Sequence, residues 1–593
     1  MRSWRYPILA LTAICGLAFA PQGVLAQETA RTESLVRYLP SGALGTVEVS
    51  DLSPIIERIE TSPVLKAYLD SPLYQESLKT DQARKALAGK AIAEAQLGMS
   101  LWAFAKTFLG NRMLLAIYPP GGGQQPDGVL ILQTRGSGEF TKLLEKLTPL
   151  LSLTGDHVSV SNRDDGGKLL RFKDGNQAVI KDRWLVAGKS ADLVSQTVGN
   201  LSSAKESGLT TDAAWRSMAE QMGTNHTVHV CVNLERISQL AGKRLVPEKL
   251  DNPIVSLLFG GAIELASRSP YLGLTLDVRD NGISVQTGIS GKVTDLDDAH
   301  RALVLDPSHP LVPLIPGIAD RLGTFSFSRN LVKWYKAREQ LLEARLQPEF
   351  DKFETGLATF LPGKDFAEDV LPLLTGRIAL VSAPQDYSFL EGKPGVQLPA
   401  FALVVELAKP REGADVLNLV AQTILTITNL EASKQKRQPW VQSSESYHDV
   451  QINFARYLEK PKGEQLPTAY NFQPASALVG TRFVLSSSLG LCRQLIDALN
   501  GRTPLEATSA APGTPGNAIP NLVQELSPAI AAQLLEANAA VIHAKNVQNG
   551  KTAEQSTLEL DALCKLLRQL TSIRFDSVQY PDHMQIELHA GWK

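Results

Sequence analysis

Past its N-terminal stretch, the chain alternates between short runs of period-two hydrophobicity and longer stretches with apolar residues three and four apart. Leu44-Gly45-Thr46-Val47-Glu48-Val49, Arg112-Met113-Leu114-Leu115, Val129-Leu130-Ile131-Leu132 and Arg183-Trp184-Leu185-Val186 read as strands. Phe140, Leu143, Leu144 and Leu147 form one helical stripe, and Leu193, Val194, Val198 and Leu201 form another. Turn residues at Arg163-Asp164-Asp165-Gly166-Gly167, Lys173-Asp174-Gly175-Asn176 and Arg279-Asp280-Asn281-Gly282 join neighbouring runs as hairpins. Hairpins imply antiparallel pairing. The pattern therefore predicts an α+β fold, a mostly antiparallel sheet with amphipathic helices packed on it, and not a doubly wound parallel sheet. Ser53-Pro54, Ser62-Pro63 and Ser71-Pro72 each suit an N-cap followed by proline at the first helical position, predicting a helical excursion after the first strand.

The pattern then repeats. Leu44 to Val49 is echoed by Leu322-Gly323-Thr324-Phe325-Ser326-Phe327, and Leu109 to Leu115 by Leu374-Thr375-Gly376-Arg377-Ile378-Ala379-Leu380. Val129 to Leu132 with its helix matches Ala402-Leu403-Val404-Val405 with the stripe Val416, Leu419, Val420, Ile424. Arg183 to Val186, leading through Ser190 into a helix, matches Arg482-Phe483-Val484-Leu485, leading through Ser488 into Leu491, Cys492, Ile496 and Leu499, with a one-residue slip. Leu272 to Asp277 with Ile283 to Gln286 matches Ile573-Arg574-Phe575 with Met584-Gln585-Ile586. Five echoes in one order predict two tandem homologous halves. The expected organisation is a signal peptide at 1–26, a first α+β repeat at 27–293, a linker at 294–311 and a second α+β repeat at 312–593. The linker is acidic at Asp295-Leu296-Asp297-Asp298 and carries prolines at Pro307 and Pro310, which suits a solvated connector; no glycine-punctuated calcium loop surrounds its acids. Residues 502–520 are rich in small residues and proline, as in a flexible insertion, and the loop at 383–399 is longer than its counterpart at 119–123.

The N-terminus has the layout of a secretory signal: Arg2 and Arg5, an apolar run from Ile8 to Ala20, then Val24-Leu25-Ala26 before polar Gln27. The apolar run is too short to span a bilayer, and no later segment reads as a transmembrane helix. The expectation is an exported chain, periplasmic or extracellular after cleavage near Ala26. Its 593 residues exceed what one core usually organises, and 44% hydrophobic with 20% charged residues excludes wholesale disorder. Lys+Arg total 59 against 61 Asp+Glu, which leaves no electrostatic footprint for nucleic acid. Cys231, Cys492 and Cys564 remain after cleavage; buried thiols are the default, and sequence alone leaves a Cys492–Cys564 pairing open.

Leu39-Pro40-Ser41-Gly42-Ala43-Leu44-Gly45-Thr46-Val47-Glu48-Val49 resembles the opening strand of exported bacterial proteins classed as a domain of unknown function, which begin with a Leu-Pro-Ala-Asp-Thr-type entry; Ser41-Gly42 departs from the Ala-Asp pair. Residues 365–376 and the junction from Trp184 to Leu193 are similar to the same family, here as two tandem divergent copies. The resemblance implies export and brings no catalytic residue with it.

Candidate chemistry is sparse. Gly188-Lys189-Ser190 joins a strand to a helix but lacks the first glycine of a phosphate-binding loop, Arg183 standing in its place, so a helix cap is favoured. His226 and His229 lie three apart on a strand and point to opposite faces, with no third metal ligand nearby. Asn225-His226-Thr227 is a glycosylation sequon. Tyr447-His448-Asp449, read as strand, directs its groups apart, and no Gly-x-Ser-x-Gly elbow occurs. Lys434-Gln435-Lys436-Arg437 reads as a solvated basic loop, and Trp102, Trp184, Trp334 and Trp440 as core residues. No catalytic, cofactor-binding or metal residue is assigned. The favoured reading is an exported, non-catalytic cell-envelope module that binds an unknown envelope protein or serves structurally. The alternative is a carrier of an apolar, lipid-like ligand in a cavity between helices and sheet. A hydrolase assembled from distant residues is a weaker third.

Overall fold

In a computed structural model, residues 34–593 are described except 62–64, 66–68, 70–73, 76–77, 122–124, 154–157, 204–207, 224–225, 280, 306–311, 502–518 and 581–582. The signal peptide, Ser62-Pro63, Ser71-Pro72, Asn225, Asp280, the proline-bearing end of the linker and nearly all of the predicted insertion at 502–520 lie outside the described residues. The chain forms two compact units. The first comprises residues up to 245 with 267–290 and 589–593; the second comprises 246–266 with 291–588.

The first unit is built on strands β1 (Gly45–Ser50), β2 (Arg112–Tyr118), β3 (Asp127–Gln133), β4 (Ser159–Asn162), β5 (Lys168–Arg171), β6 (Gln177–Lys181), β7 (Trp184–Gly188), β8 (Val228–Asn233), β9 (Tyr271–Arg279) and β10 (Gly282–Ile289). They pair antiparallel in the order β10-β9-β8-β1-β2-β3-β7-β6-β5-β4. Helix α1 (Glu139–Leu153) covers one face, where Phe140 and Leu144 meet Leu132, Leu170, Ala178, Ile180 and Phe108. Helix α2 (Ala191–Ser203) covers the other, with Val194 and Val198 against Val129, Ile131, Val179 and Val186. The helix predicted at Ser53-Pro54 exists as Leu52–Thr61, but Ser53 does not cap it. Its hydroxyl donates instead to the Gly110 carbonyl at 3.0 Å.

The second unit carries β11 (Gly323–Ser328), β12 (Leu374–Ala383), β13 (Glu391–Pro394), β14 (Ala400–Leu407), β15 (Val441–Tyr447), β16 (Val450–Arg456), β17 (Lys462–Leu466), β18 (Ala475–Val479), β19 (Arg482–Ser486), β20 (Ile519–Leu526) and β21 (Leu570–Gln579). Its main sheet is antiparallel in the order β21-β20-β11-β12-β14-β19-β18-β16-β15, and β13 pairs parallel with β17 apart from it. Strand for strand, this order matches the first unit from β9 to β4. The echoed segments fall on β1 and β11, β2 and β12, β3 and β14, and β7 and β19. Register also places the predicted slip: Gln133 pairs with Trp184 and Glu406 with Arg482, so Trp184, not Arg183, matches Arg482.

The units do not follow the expected boundary at 293. Helix α3 (Pro253–Arg268) was assigned to the first half, yet its residues up to 266 belong to the second unit, with Leu258 packed against Leu303, Phe327 and Leu331. Nor is 294–305 a solvated connector. Leu296, Leu303, Val304 and Leu305 are buried, because the acids between them occupy the outer side of a short helix that Asp297 caps. What fastens α3 is Arg329, 3% exposed, whose five N–H groups all donate to neutral acceptors. These are the carbonyls of Leu257, Leu258, Ser328 and Asn521 and the side-chain oxygen of Asn521. Burial without a carboxylate lowers the guanidinium pKa to about 10. Gly376 (φ +89) wraps so closely over this residue that a Cβ would lie 1.8 Å from the Arg329 carbonyl oxygen, and the register of β12 shifts there.

Replacing Arg329 with methionine strands several buried carbonyls at once. We predict a loss of about 3 kcal/mol or more for the Arg329→Met variant in urea unfolding; a loss below about 1 kcal/mol would contradict the assigned role.

Candidate functional site

Helices α4 (Pro410–Lys434) and α5 (Leu489–Leu499) cover opposite faces of the second sheet. Pleating hands alternate residues of β14 to each: Ala400, Ala402 and Val404 pack toward α5, and Leu403 and Val405 toward α4. The N-terminal part of α4 is seated closely, and Ala432 near its far end is buried as well. In the N-terminal part Ala414 and Leu417 meet Val405, Leu407 and Phe483, while Val416 and Val420 meet Leu361, Val370 and Leu373. The far end is tied through Asn429, whose Oδ1 accepts from the Trp440 N–H at 2.8 Å and whose Nδ2 donates to the Trp440 carbonyl at 2.9 Å. Between these attachments the helix bridges a half-open cleft of about 440 Å3.

The floor is one row of paired residues: Leu380 on β12, Leu403 on β14, Leu485 on β19, Ser476 on β18 and Asn453 on β16. Ala421, Ile424, Leu425 and Thr428 of α4 form the roof, and Phe401, Phe472 and Trp440 stand among the walls. Phe401 and Phe472 meet edge to face at 6.1 Å. Phe472 is held by its neighbour Asn471, which accepts from the Tyr387 hydroxyl at 2.6 Å and the Leu398 N–H at 2.8 Å. Asn471 Nδ2 donates in turn to the carbonyls of Val396 and Thr468, which ties the loop at 383–399 to the segment that carries Phe472. At the mouth Leu380 and Phe401 are each 46% exposed and Ile424 41%. No residue lining the cleft bears a titratable group. Sequence reasoning missed Asn418, Asn453 and Ser476, and placed Trp440 in a core. A signal existed: polar residues interrupt faces that are apolar at the echoed positions of the first half.

The candidate chemical groups are used structurally. Ser190 caps α2, accepting from the Leu193 N–H at 3.4 Å. Tyr447-His448-Asp449 is not strand throughout; His448 (φ 50) and Asp449 (φ 64) form the two-residue turn between β15 and β16. Asp497 accepts from the Tyr447 hydroxyl at 2.9 Å and tethers this hairpin to α5. A serine–histidine pair does occur, His543 Nδ1 lying 2.8 Å from Ser556 Oγ, but Ser556 is fully buried and also accepts from Asn546, so no substrate reaches it. Cys231, Cys492 and Cys564 are free and buried, which settles the open Cys492–Cys564 question against a disulfide; burial raises the thiol pKa of Cys231 and Cys492 to about 12. Lys434 pairs with Glu431 at 3.4 Å, beside the cleft but not lining it. Among the described residues, no three His, Cys, Asp or Glu side chains gather as a metal set, and no helix is long and apolar enough to cross a membrane.

No family model and no curated protein matches the chain. Two crystal forms of TP0453 show a partial likeness, at 11% and 9% identity with TM-scores of 0.23 and 0.24. They cover 43% and 45% of this chain and 79% and 82% of their own. Likeness at that level carries no argument about function.

His226, which precedes β8 and does not lie on it, is a clasp. His226 Nε2 donates to the Met222 carbonyl at 2.6 Å, and Nδ1 lies 2.7 Å from Asp277 Oδ2. Both nitrogens donate only in the imidazolium form. Burial opposes that charge and Arg279 adds a smaller repulsion, but the hydrogen bond and charge of Asp277 outweigh both, so the pKa is raised. Burial lowers the His229 pKa to about 4, with a smaller contribution from the charge on His226. A raised folded-state pKa means that the stabilisation from His226 is fully present below its unfolded value, about 6.5, and is lost as pH climbs through the folded value. Accordingly, His226→Gln should lower the melting temperature most below pH 6.5, with the gap to the parent closing toward alkaline pH. A gap independent of pH in scanning fluorimetry would refute the charged clasp.

Proposed function

We propose that the protein is a non-catalytic binding protein, exported by its N-terminal signal, whose second unit takes up an apolar ligand in the cleft beneath α4. The cleft carries this reading: its volume falls in the range of small-molecule sites, and its lining is apolar with a few neutral polar groups. The half-exposed Leu380, Phe401 and Ile424 give a ligand apolar surface to cover, at roughly 25 cal/mol per Å2 removed from water. Acid–base or nucleophilic catalysis needs a positioned titratable group, and the lining supplies none. We also propose that the halves arose by duplication and then diverged. Their common strand order supports this, as does the different filling of the α1 and α4 faces: in the first unit Phe108, Phe140 and Leu144 pack that side.

The test is uptake of the neutral fluorescent probe N-phenyl-1-naphthylamine. Saturable binding with a blue-shifted emission is expected for the parent. Ala421→Trp, which fills the roof of the cleft, should weaken it at least tenfold while leaving the melting temperature nearly unchanged. Absence of saturable uptake by the parent would refute the reading, as would full uptake by Ala421→Trp.

A further inference from the structure

We infer that the ligand is a neutral amphiphile: an acyl or aryl chain ending in an uncharged hydroxyl or amide group. The inference rests on the cleft being a ligand site and goes further by fixing the polarity and direction of what lies in it.

The observation is a comparison of the same row in the two sheets. In the first unit, register aligns Leu115, Leu130, Ala187, Ala178 and Leu170 across β2, β3, β7, β6 and β5. Every member is apolar. In the second unit the matching row is Leu380, Leu403, Leu485, Ser476 and Asn453. The apolar character holds over three strands and then stops: serine stands where the first unit has Ala178, and asparagine where it has Leu170. The roof follows suit. Asn418 of α4 accepts from Ser476 Oγ at 3.1 Å, so its amide nitrogen keeps both protons available. No other described residue takes up the side-chain amide of half-buried Asn453, or those of Gln422 and Gln442, which are exposed. Polar groups set into one end of an apolar cleft cost free energy unless something there hydrogen-bonds to them.

The head group is neutral because the cleft supplies nothing to pair a charge. No Lys, Arg, His, Asp or Glu lines it. The basic run beyond α4 stays outside, with Lys434 engaged by Glu431 and Arg437 Nε donating to Gln435 Oε1 at 2.9 Å. Bringing a carboxylate or ammonium against these amides would desolvate it without a counter-ion, which is heavily penalised. Amides and hydroxyls, by contrast, both donate and accept, as an alcohol, monoacylglycerol or fatty amide requires. The chain then lies over Leu380, Leu403 and Leu485, two inter-strand spacings or roughly 10 Å, and the head rests at Asn418, Ser476 and Asn453.

The experiment is displacement of N-phenyl-1-naphthylamine from the full chain at pH 8 by three competitors sharing one chain: 1-monolauroylglycerol, laurate and dodecyltrimethylammonium. Monolauroylglycerol should displace the probe at concentrations at least tenfold lower than either ion. The double variant Ser476→Ala with Asn453→Leu installs the residue types of the matching first-unit positions, so it should fold. Read against the variant's own probe affinity, the tenfold preference should fall to within about twofold. If laurate or the ammonium competes as well as the neutral ester, or if the double variant keeps the full preference, the neutral-head assignment is wrong while the apolar site stands. If the parent binds no probe, the site itself is wrong and this inference falls with it.

Discussion

A sheet covered on both faces obliges every central strand to be apolar at consecutive positions, because the pleat sends neighbours to opposite covers. That requirement explains Val129-Leu130-Ile131-Leu132 in one unit and Ala402-Leu403-Val404-Val405 in the other. Each face then needs its own helix, and the quality of each cover is set by how far that helix stays in contact. On the α5 side of the second sheet the cover is close, with Ala379, Ala400, Ala402, Ala475 and Ala477 letting the helix approach. On the α4 side the strands present Phe401, Leu403 and Leu485, and the helix rests on them at its beginning. The cleft follows from that difference between two faces of the same strands.

An opening under a helix would ordinarily collapse, since the roof gains by dropping onto the floor. Two attachments prevent it. Val416 and Val420 are locked against Leu361, Val370 and Leu373, and Asn429 holds the backbone of Trp440, so neither end of α4 is free to settle. The matching arginines show how far the units have diverged around this frame. Arg112 pairs with Glu48 on β1 at 2.9 Å, whereas Arg377 reaches Glu406 on β14 with both carboxylate oxygens near 3 Å. An arginine at the same strand position thus braces a different neighbour in each unit.

Most strands and helices were legible because periodicity is a local property, and the α+β class followed from the hairpin turns. What escaped depended on distance along the chain or on unusual turn chemistry. Assigning α3 to the first half assumed that sequence neighbours share a unit, but its carbonyls at 257 and 258 are claimed by Arg329, far along the chain. The linker looked solvated because its acids are conspicuous, while Leu296 and Leu303 between them are 2% exposed. The turn at His448-Asp449 lacks the glycine that usually marks paired positive φ angles, so it read as strand. The cleft was legible only in outline, as a cavity between helices and sheet. Its lining comes from many elements, and no period reveals that a helix stops touching what it covers.

Reactive side chains are not scarce in this protein; they are committed. Ser556 is buried in a helix-to-helix pin, His226 is a clasp between two acceptors, the cysteines are desolvated thiols, and Asp497 holds a hairpin. A group that already satisfies a structural partner must break that bond before it can attack, donate or abstract, and each of these would give up a buried or part-buried contact to do so. Asn418, Asn453, Gln422 and Gln442 have hydrogen-bonding capacity to spare, and all four line the same apolar cleft. Neutral amides are poor acids and poor bases but good hydrogen-bonding partners. Their presence in a cleft lined by leucine and phenylalanine is what supports the proposed role in recognition.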